Sequence, residues 1–139
     1  MKLERFLGVL ISSFIVFSGL WGTAASAEDA TPAQAAMIVL IFDTHCKTAC
    51  ELVRPIMKEI KDEMKDCFSY VELNSSSETL ADSQKTAKEL GIHGFLADYA
   101  QFVPIVGVFT AKKKCIKVIQ GPKAKDVYMA ALQKALQCK

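Results

Sequence analysis

Two cysteines separated by three residues, Cys46 and Cys50, are the side chains best suited to covalent chemistry in this chain. A thiolate attacks disulfides, and a second thiol nearby releases the resulting mixed disulfide. In a regular helix, Cα atoms at i and i+4 lie roughly 6 Å apart, within the span of about 4.4–6.8 Å that a disulfide tolerates. The spacing therefore predicts a redox-active pair; two unrelated packed thiols are the alternative.

The pair lies where a buried strand is expected to pass into a helix. Residues 35–42 form an unbroken apolar run, typical of a strand buried on both faces, and apolar residues then recur every four positions from Leu52 to Met64. Free N–H groups and the dipole at the amino end of a helix favour an anion. We therefore expect Cys46 to be the nucleophilic thiolate and Cys50 to be the more buried, resolving thiol.

Two charged or titratable residues flank Cys46. The positive charge of a protonated His45 would hold the thiolate and tune the couple toward oxidation, and a solvated loop histidine is the alternative. The charge of Lys47 acts in the same direction, although solvent screens it. The other histidine, His93, is expected to be an ordinary loop residue.

Hydrophobic periodicity predicts the element order β-α-β-α-β-β-α in one α/β domain. Gly91 is expected to end the second helix as its C′ residue, and segment 93–102 fits either a loop or one short helical turn. The remaining predicted elements are strands at 68–73, 104–110 and 115–120 and helices at 79–90 and 126–136.

The first residues have the three-part layout of a secretory signal peptide. A basic start at Lys2 and Arg5 precedes the charge-free apolar run 6–22, and small residues at 25–27 form a cleavage site after Ala27. An uncleaved membrane anchor is the alternative. We expect residues 1–27 to be removed, 28–35 to form a flexible leader and 36–139 to form the domain, secreted or periplasmic, where disulfides persist.

The amino-acid composition restricts the range of possible functions further. The chain has 139 residues, 51% of them hydrophobic and 23% charged, with a formal net charge of +2. These values fit one packed domain, and the lack of a basic stripe with interleaved aromatics argues against nucleic-acid binding. We expect no membrane association after signal cleavage. The five cysteines are an odd number, so at least one is free or pairs between molecules.

Segment 50–74 closely resembles the active-site helix and the following strand of the thioredoxin family, including Pro55 five residues after the second cysteine. Residues 89–92 resemble the family's stretch before its cis-proline, Val103-Pro104 resembles that cis-proline itself, and 109–121 resembles the family's final hairpin and glycine. The resemblance covers about residues 36–137. It implies a thioredoxin-like fold, a central mixed sheet with helices on both faces, and thiol–disulfide oxidoreductase activity without an organic cofactor.

The resemblance also implies partners and a substrate-binding segment. The partners would be thiols and disulfides of other exported proteins, and a redox partner. Val103 and Pro104 would bring backbone beside Cys46, where a substrate chain adds as an extra strand. The sequence departs from the family in having C-x3-C in place of C-x-x-C, about nine extra residues before Pro104, and Leu40 where the family has a buried, proton-shuttling acid.

A second resemblance uses the same cysteines. The segment from Thr44 to Cys50 is similar to the copper site of the Sco family, whose thioredoxin-fold members deliver copper to cytochrome oxidase. Two thiolates suit Cu(I), and His93 would be the third ligand if the inserted segment folded back. A copper chaperone is thus one alternative function, and a redox-inactive thioredoxin-like binding module is another.

Three cysteines remain outside the pair. The expected lengths of the last strand and last helix place Cys67, Cys115 and Cys138 at the end of the domain away from Cys46. A structural disulfide between Cys115 and Cys138 is the favoured pairing and Cys67–Cys138 the second. Three free thiols are the alternative.

Overall fold

The computed structural model describes residues 35–137. The predicted signal peptide, nearly all of the leader, and Cys138 lie outside the described residues. All of the described residues belong to one compact unit. Among residues 35–137, none of the helices is both long and apolar enough to cross a membrane.

The predicted elements form in the predicted order, with one addition. The addition is a third helix, α3, which occupies the segment that fitted either a loop or a helical turn. The elements are β1 (Ala36–Phe42), α1 (Lys47–Met64, followed by a 3₁₀ turn at Lys65–Cys67), β2 (Phe68–Asn74), α2 (Leu80–Glu89), α3 (His93–Tyr99), β3 (Ile105–Phe109), β4 (Cys115–Gln120) and α4 (Lys125–Gln137).

Gly91 ends α2 as expected. Its φ of +73° is the left-handed conformation that glycine adopts without steric cost. The Ile92 N–H donates to the carbonyl of Ala87 at 2.8 Å, and the Gly91 N–H donates to that of Lys88 at 3.1 Å. This is a Schellman motif, which satisfies the last carbonyls of the helix and turns the chain into α3.

The four strands form one mixed sheet in the order β2-β1-β3-β4, with β1 parallel to β2 and antiparallel to β3. Because β1 lies inside the sheet with helices on both faces, all seven of its residues are buried, which accounts for its unbroken apolar sequence. Ile41, near the end of β1, pairs with Ile105 at the start of β3. The loop that carries Cys46 and the Val103–Pro104 segment therefore lie at the same edge of the sheet.

The sheet separates two cores. Ile38 and Leu40 face α1 and α4, whereas Met37, Val39 and Ile41 face α2 and α3. This alternation follows from the two-residue period of a strand. Lys125, in the first turn of α4, forms ion pairs with Glu59 and Glu63 in the second half of α1.

Gly107 in β3 lies directly beneath the Phe95 ring of α3. A Cβ atom there would lie 2.4 Å from the ring of Phe95 and 2.8 Å from that of Phe109. The two rings pack edge to face with centroids 5.1 Å apart, so neither can move away freely.

Gly107→Ala should therefore lower the free energy of unfolding by about 1–3 kcal/mol through overpacking. Gly94→Ala, in α3, is the matched control because no atom lies within 4 Å of its added methyl group. We expect the control to leave stability unchanged or slightly raised, since alanine favours the helix. Urea unfolding of both variants measures the difference, and equal stabilities would contradict this packing.

Candidate active site

Cys46 occupies the N-cap of α1, at the end of the loop formed by residues 43–46. Its backbone N–H donates to the carbonyl of Asp43 at 3.0 Å, and the Lys47 N–H donates to the carbonyl of His45 at 3.1 Å. The Cys46 side chain is partly buried against the core on the α1 face. The thiol thus lies at the amino end of an 18-residue helix, where unpaired N–H groups and the dipole favour negative charge.

Cys50 lies one turn further along α1 and is 3% exposed. Burial, and next a hydrogen bond with the Cys46 sulfur, raise the pKa of the Cys50 thiol to about 11. A backbone hydrogen bond from Asp43 and the charge of Arg54 act in the opposite direction but are outweighed. The two sulfurs are therefore close enough to interact, and burial opposes the loss of the proton from Cys50.

Asp43 and His45 form a hydrogen-bonded pair beside Cys46. Asp43 Oδ1 accepts from the His45 backbone N–H at 2.7 Å and from Nδ1 of its ring at 2.9 Å. These two hydrogen bonds hold the pKa of Asp43 below its usual value. Sequence reasoning missed Asp43, whose sole signal is that it is the first polar residue after β1.

Arg54, one turn beyond Cys50, links α1 to β2. Its guanidinium lies 4.0 Å from the centroid of the Phe42 ring and donates to Glu72 Oε2 at 3.0 Å. Tyr70 donates to the other oxygen of Glu72 at 2.8 Å, and burial raises the pKa of Tyr70. Sequence reasoning also missed Arg54, although its i+4 spacing from Cys50 places both residues on one side of the helix.

Val103 and Pro104 lie at the sheet edge that carries Cys46. Their peptide bond is cis, and the Pro104 carbonyl accepts a hydrogen bond from the Gly121 N–H at 2.9 Å. Pro104 is buried. Val103 is partly buried and contacts both cores, including the one that Cys46 contacts. The structure thus brings this segment and the cysteine pair to one edge.

The histidine proposed as a third copper ligand is not brought to the cysteines. His93 is the first residue of α3, and it lines a cavity with Phe109 and Cys115 at the opposite edge of the sheet. Across the described range, no three His, Cys, Asp or Glu side chains are grouped so that they could hold a metal ion. The expected ligand set of Cys46, Cys50 and His93 is therefore not assembled, because the inserted segment forms α3 on the other face of the sheet.

Cys67 and Cys115 lie away from the pair, and neither forms a disulfide with another cysteine of residues 35–137. Cys67 is exposed, whereas Cys115 is partly buried against the core beneath α2 and α3, and burial raises its pKa. The helix that leads to Cys138 packs on the opposite face of the sheet. Since Cys138 lies outside the described residues, the pairings Cys115–Cys138 and Cys67–Cys138 stay predictions.

Comparison with solved structures identifies similar folds. The chain is 21% identical to a thiol:disulfide interchange protein of the thioredoxin family from Chlorobium tepidum, over 76% of this chain and 82% of that one, with a TM-score of 0.53. It is 18% identical to the pneumococcal exposed lipoprotein thioredoxin Etrx1 from Streptococcus pneumoniae, over 73% and 86%, with a TM-score of 0.55. No protein-family model and no curated protein matches the chain. The shared architecture is the thioredoxin-like fold.

The raised pKa of Cys50 should make the stability of the reduced protein depend on alkaline pH. Between pH 9, the ordinary thiol value, and about pH 11, the unfolded chain ionises this thiol while the folded chain keeps it protonated. The unfolded state then binds fewer protons, so the free energy of unfolding falls as pH rises through this window.

Urea unfolding at several pH values from 8 to 10.5 measures this dependence. Cys50→Ala should show a shallower decline than the wild type, whereas Cys67→Ala, which removes an exposed thiol, should keep the wild-type slope. A Cys50→Ala protein with the wild-type slope would show that burial does not hold the proton on this sulfur.

Proposed function

We propose that this chain, which has the thioredoxin-like fold, is an exported thiol–disulfide oxidoreductase acting through Cys46 and Cys50. One observation carries the proposal. A partly exposed thiol at the N-cap of a long helix lies one turn before, and interacts with, a buried thiol whose pKa is raised to about 11. The two sulfurs thus differ in exposure, and the buried one holds its proton more tightly than an ordinary thiol does, which suits an outer attacking sulfur and an inner resolving sulfur.

The first step uses Cys46. Its thiolate attacks one sulfur of a substrate disulfide, a bond forms between Cys46 and that sulfur, and the other substrate sulfur leaves as a thiolate that takes up a proton. The amino end of α1 stabilises the attacking anion. The exposed fraction of Cys46 gives the substrate access.

The second step uses Cys50. After losing its proton, the Cys50 sulfur attacks Cys46, the Cys46–Cys50 disulfide forms, and the second substrate thiolate is released. The substrate disulfide has then been reduced by two electrons, and Cys46 and Cys50 have been oxidised to a disulfide. The reverse sequence transfers a disulfide to a reduced substrate. The buried position of Cys50 restricts its attack to a sulfur already bound at Cys46.

The Val103–Pro104 segment is proposed to bind the substrate chain. It lies at the sheet edge of Cys46, and Val103 contacts the same core as that thiol. An extended substrate segment laid along this backbone would present its sulfur to Cys46.

Export is supported by the sequence of the first 27 residues and by the chemistry. Dithiol–disulfide exchange among client proteins suits an oxidising compartment. One of the similar structures is that of an exposed lipoprotein thioredoxin. We therefore propose thiols and disulfides of other exported proteins, and a separate redox partner, as the molecules with which this chain reacts.

Serine variants of the two cysteines test the assignment. Cys46→Ser should abolish exchange with a disulfide-containing protein such as insulin, since the attacking sulfur is lost. Cys50→Ser should accumulate a mixed disulfide through Cys46, because the resolving sulfur is lost. Non-reducing electrophoresis and peptide mass spectrometry identify the adduct.

Cys67→Ser is the matched control, an exposed thiol away from the pair that should leave turnover unchanged. An adduct at Cys50 in Cys46→Ser, or wild-type turnover in either serine variant of the pair, would overturn the assignment. Tight one-to-one binding of Cu(I) without turnover would instead favour copper delivery by the same two sulfurs.

A further inference from the structure

The family's buried, proton-shuttling acid is absent from this chain, and the β1–α1 loop contains another acid–base pair. The corresponding position is Leu40, which is fully buried among apolar side chains. Three residues later, Asp43 accepts two hydrogen bonds from His45, the residue that directly precedes Cys46.

From this geometry we propose that Asp43 is a positioning residue that orients the His45 imidazole, and that His45 moves the proton during exchange at Cys46. This inference rests on the proposed function. A carboxylate only accepts hydrogen bonds, so the ring hydrogen lies on Nδ1 and faces Asp43. When the ring carries a single hydrogen, the other nitrogen, Nε2, has the free lone pair.

The loop geometry couples this pair to the start of the helix. The Asp43 side chain fixes His45 through its backbone and its ring, while the Asp43 carbonyl accepts from the Cys46 N–H at 3.0 Å. The His45 side chain is 75% exposed and belongs to the residue next to Cys46, so a substrate arriving at Cys46 can reach the imidazole. The other charged or titratable groups in this loop and the first two turns of α1 are Cys46, Lys47, Cys50, Glu51 and Arg54.

The proton balance of the first step is then complete. The Cys46 thiol passes its proton to Nε2 of His45 in a rapid equilibrium that precedes attack, and the thiolate then forms a bond to one sulfur of the substrate disulfide. The bond between the two substrate sulfurs breaks, and the departing thiolate takes the proton from Nε2. His45 ends the step with the same number of protons with which it began.

Two small disulfides separate this role from a structural one. The leaving group of hydroxyethyl disulfide is a basic thiolate that gains from protonation, whereas that of dithiobis(nitrobenzoate) is weakly basic and leaves unaided. His45→Gln should slow reduction of hydroxyethyl disulfide about tenfold or more, and Asp43→Asn about three- to tenfold. With dithiobis(nitrobenzoate), both variants should lose much less of their reduction rate. Each variant should therefore have a lower ratio of hydroxyethyl disulfide rate to dithiobis(nitrobenzoate) rate than the wild type.

A double variant tests whether Asp43 acts through His45. In the His45→Gln background, Asp43→Asn should change the hydroxyethyl disulfide rate by less than about twofold, because its effect is already lost. Asp43→Asn keeps an oxygen that accepts from the His45 N–H, so the loop is retained. Glu51→Gln, on the exposed side of α1, is the control for the loss of one negative charge and should match the wild type.

Three outcomes of these measurements would contradict the proton role of His45 or the proposed function. Equal losses on both disulfides, or an Asp43→Asn effect that persists without His45, would overturn the proton role while leaving exchange by Cys46 and Cys50 intact. A wild-type protein that reduces neither disulfide would overturn the proposed function and this inference with it.

Discussion

The candidate site depends on the way in which a buried strand ends and a long helix begins. β1 is held between two neighbouring strands and covered on both faces, so its carboxyl end is fixed. The next four residues bring Cys46 to the N-cap of α1, where unpaired N–H groups meet a sulfur that solvent reaches only in part. One turn later the same helix buries Cys50 in the core. Unequal solvation of two neighbouring sulfurs is thus a direct result of this junction.

The rest of the fold holds other groups at that junction. The antiparallel pairing of β1 with β3 brings the Val103–Pro104 segment to the same edge. α3 packs against the far face, where Gly107 leaves room for the Phe95 ring. Arg54, stacked on Phe42 and paired with Glu72, places a positive charge one turn from Cys50. The site is therefore built from elements distant in sequence, each held by packing rather than by direct contact with the cysteines.

Much of this organisation could be predicted from the sequence because it is encoded locally. The apolar run of β1, the spacing of α1 and the left-handed Gly91 each have one reasonable structural interpretation. The sequence did not distinguish a helix from a loop at α3, because seven residues are too few to display a helical period. The position of His93 depends on which face of the sheet that helix covers, which local patterns do not specify. The pairing of Asp43 with His45 depends on loop hydrogen bonds, and two residues of spacing carry no periodic signal.

The cysteines outside the pair show a second limit of sequence reasoning. Counting residues along strand and helix gives their distance from Cys46 but not the face on which each lies. Cys115 packs beneath α2 and α3, whereas α4 covers the other face of the sheet. The lengths of the strand and the helix alone therefore do not determine which cysteines pair.

The most direct measurement is the alkylation rate of each cysteine in the native, reduced protein, followed by mass spectrometry at neutral pH. The account predicts that iodoacetamide modifies Cys46 faster than it modifies an unstructured cysteine peptide, and that Cys50 is modified about a hundredfold or more slowly than Cys46. Equal rates at Cys46 and in the peptide, or comparable rates at Cys46 and Cys50, would contradict it.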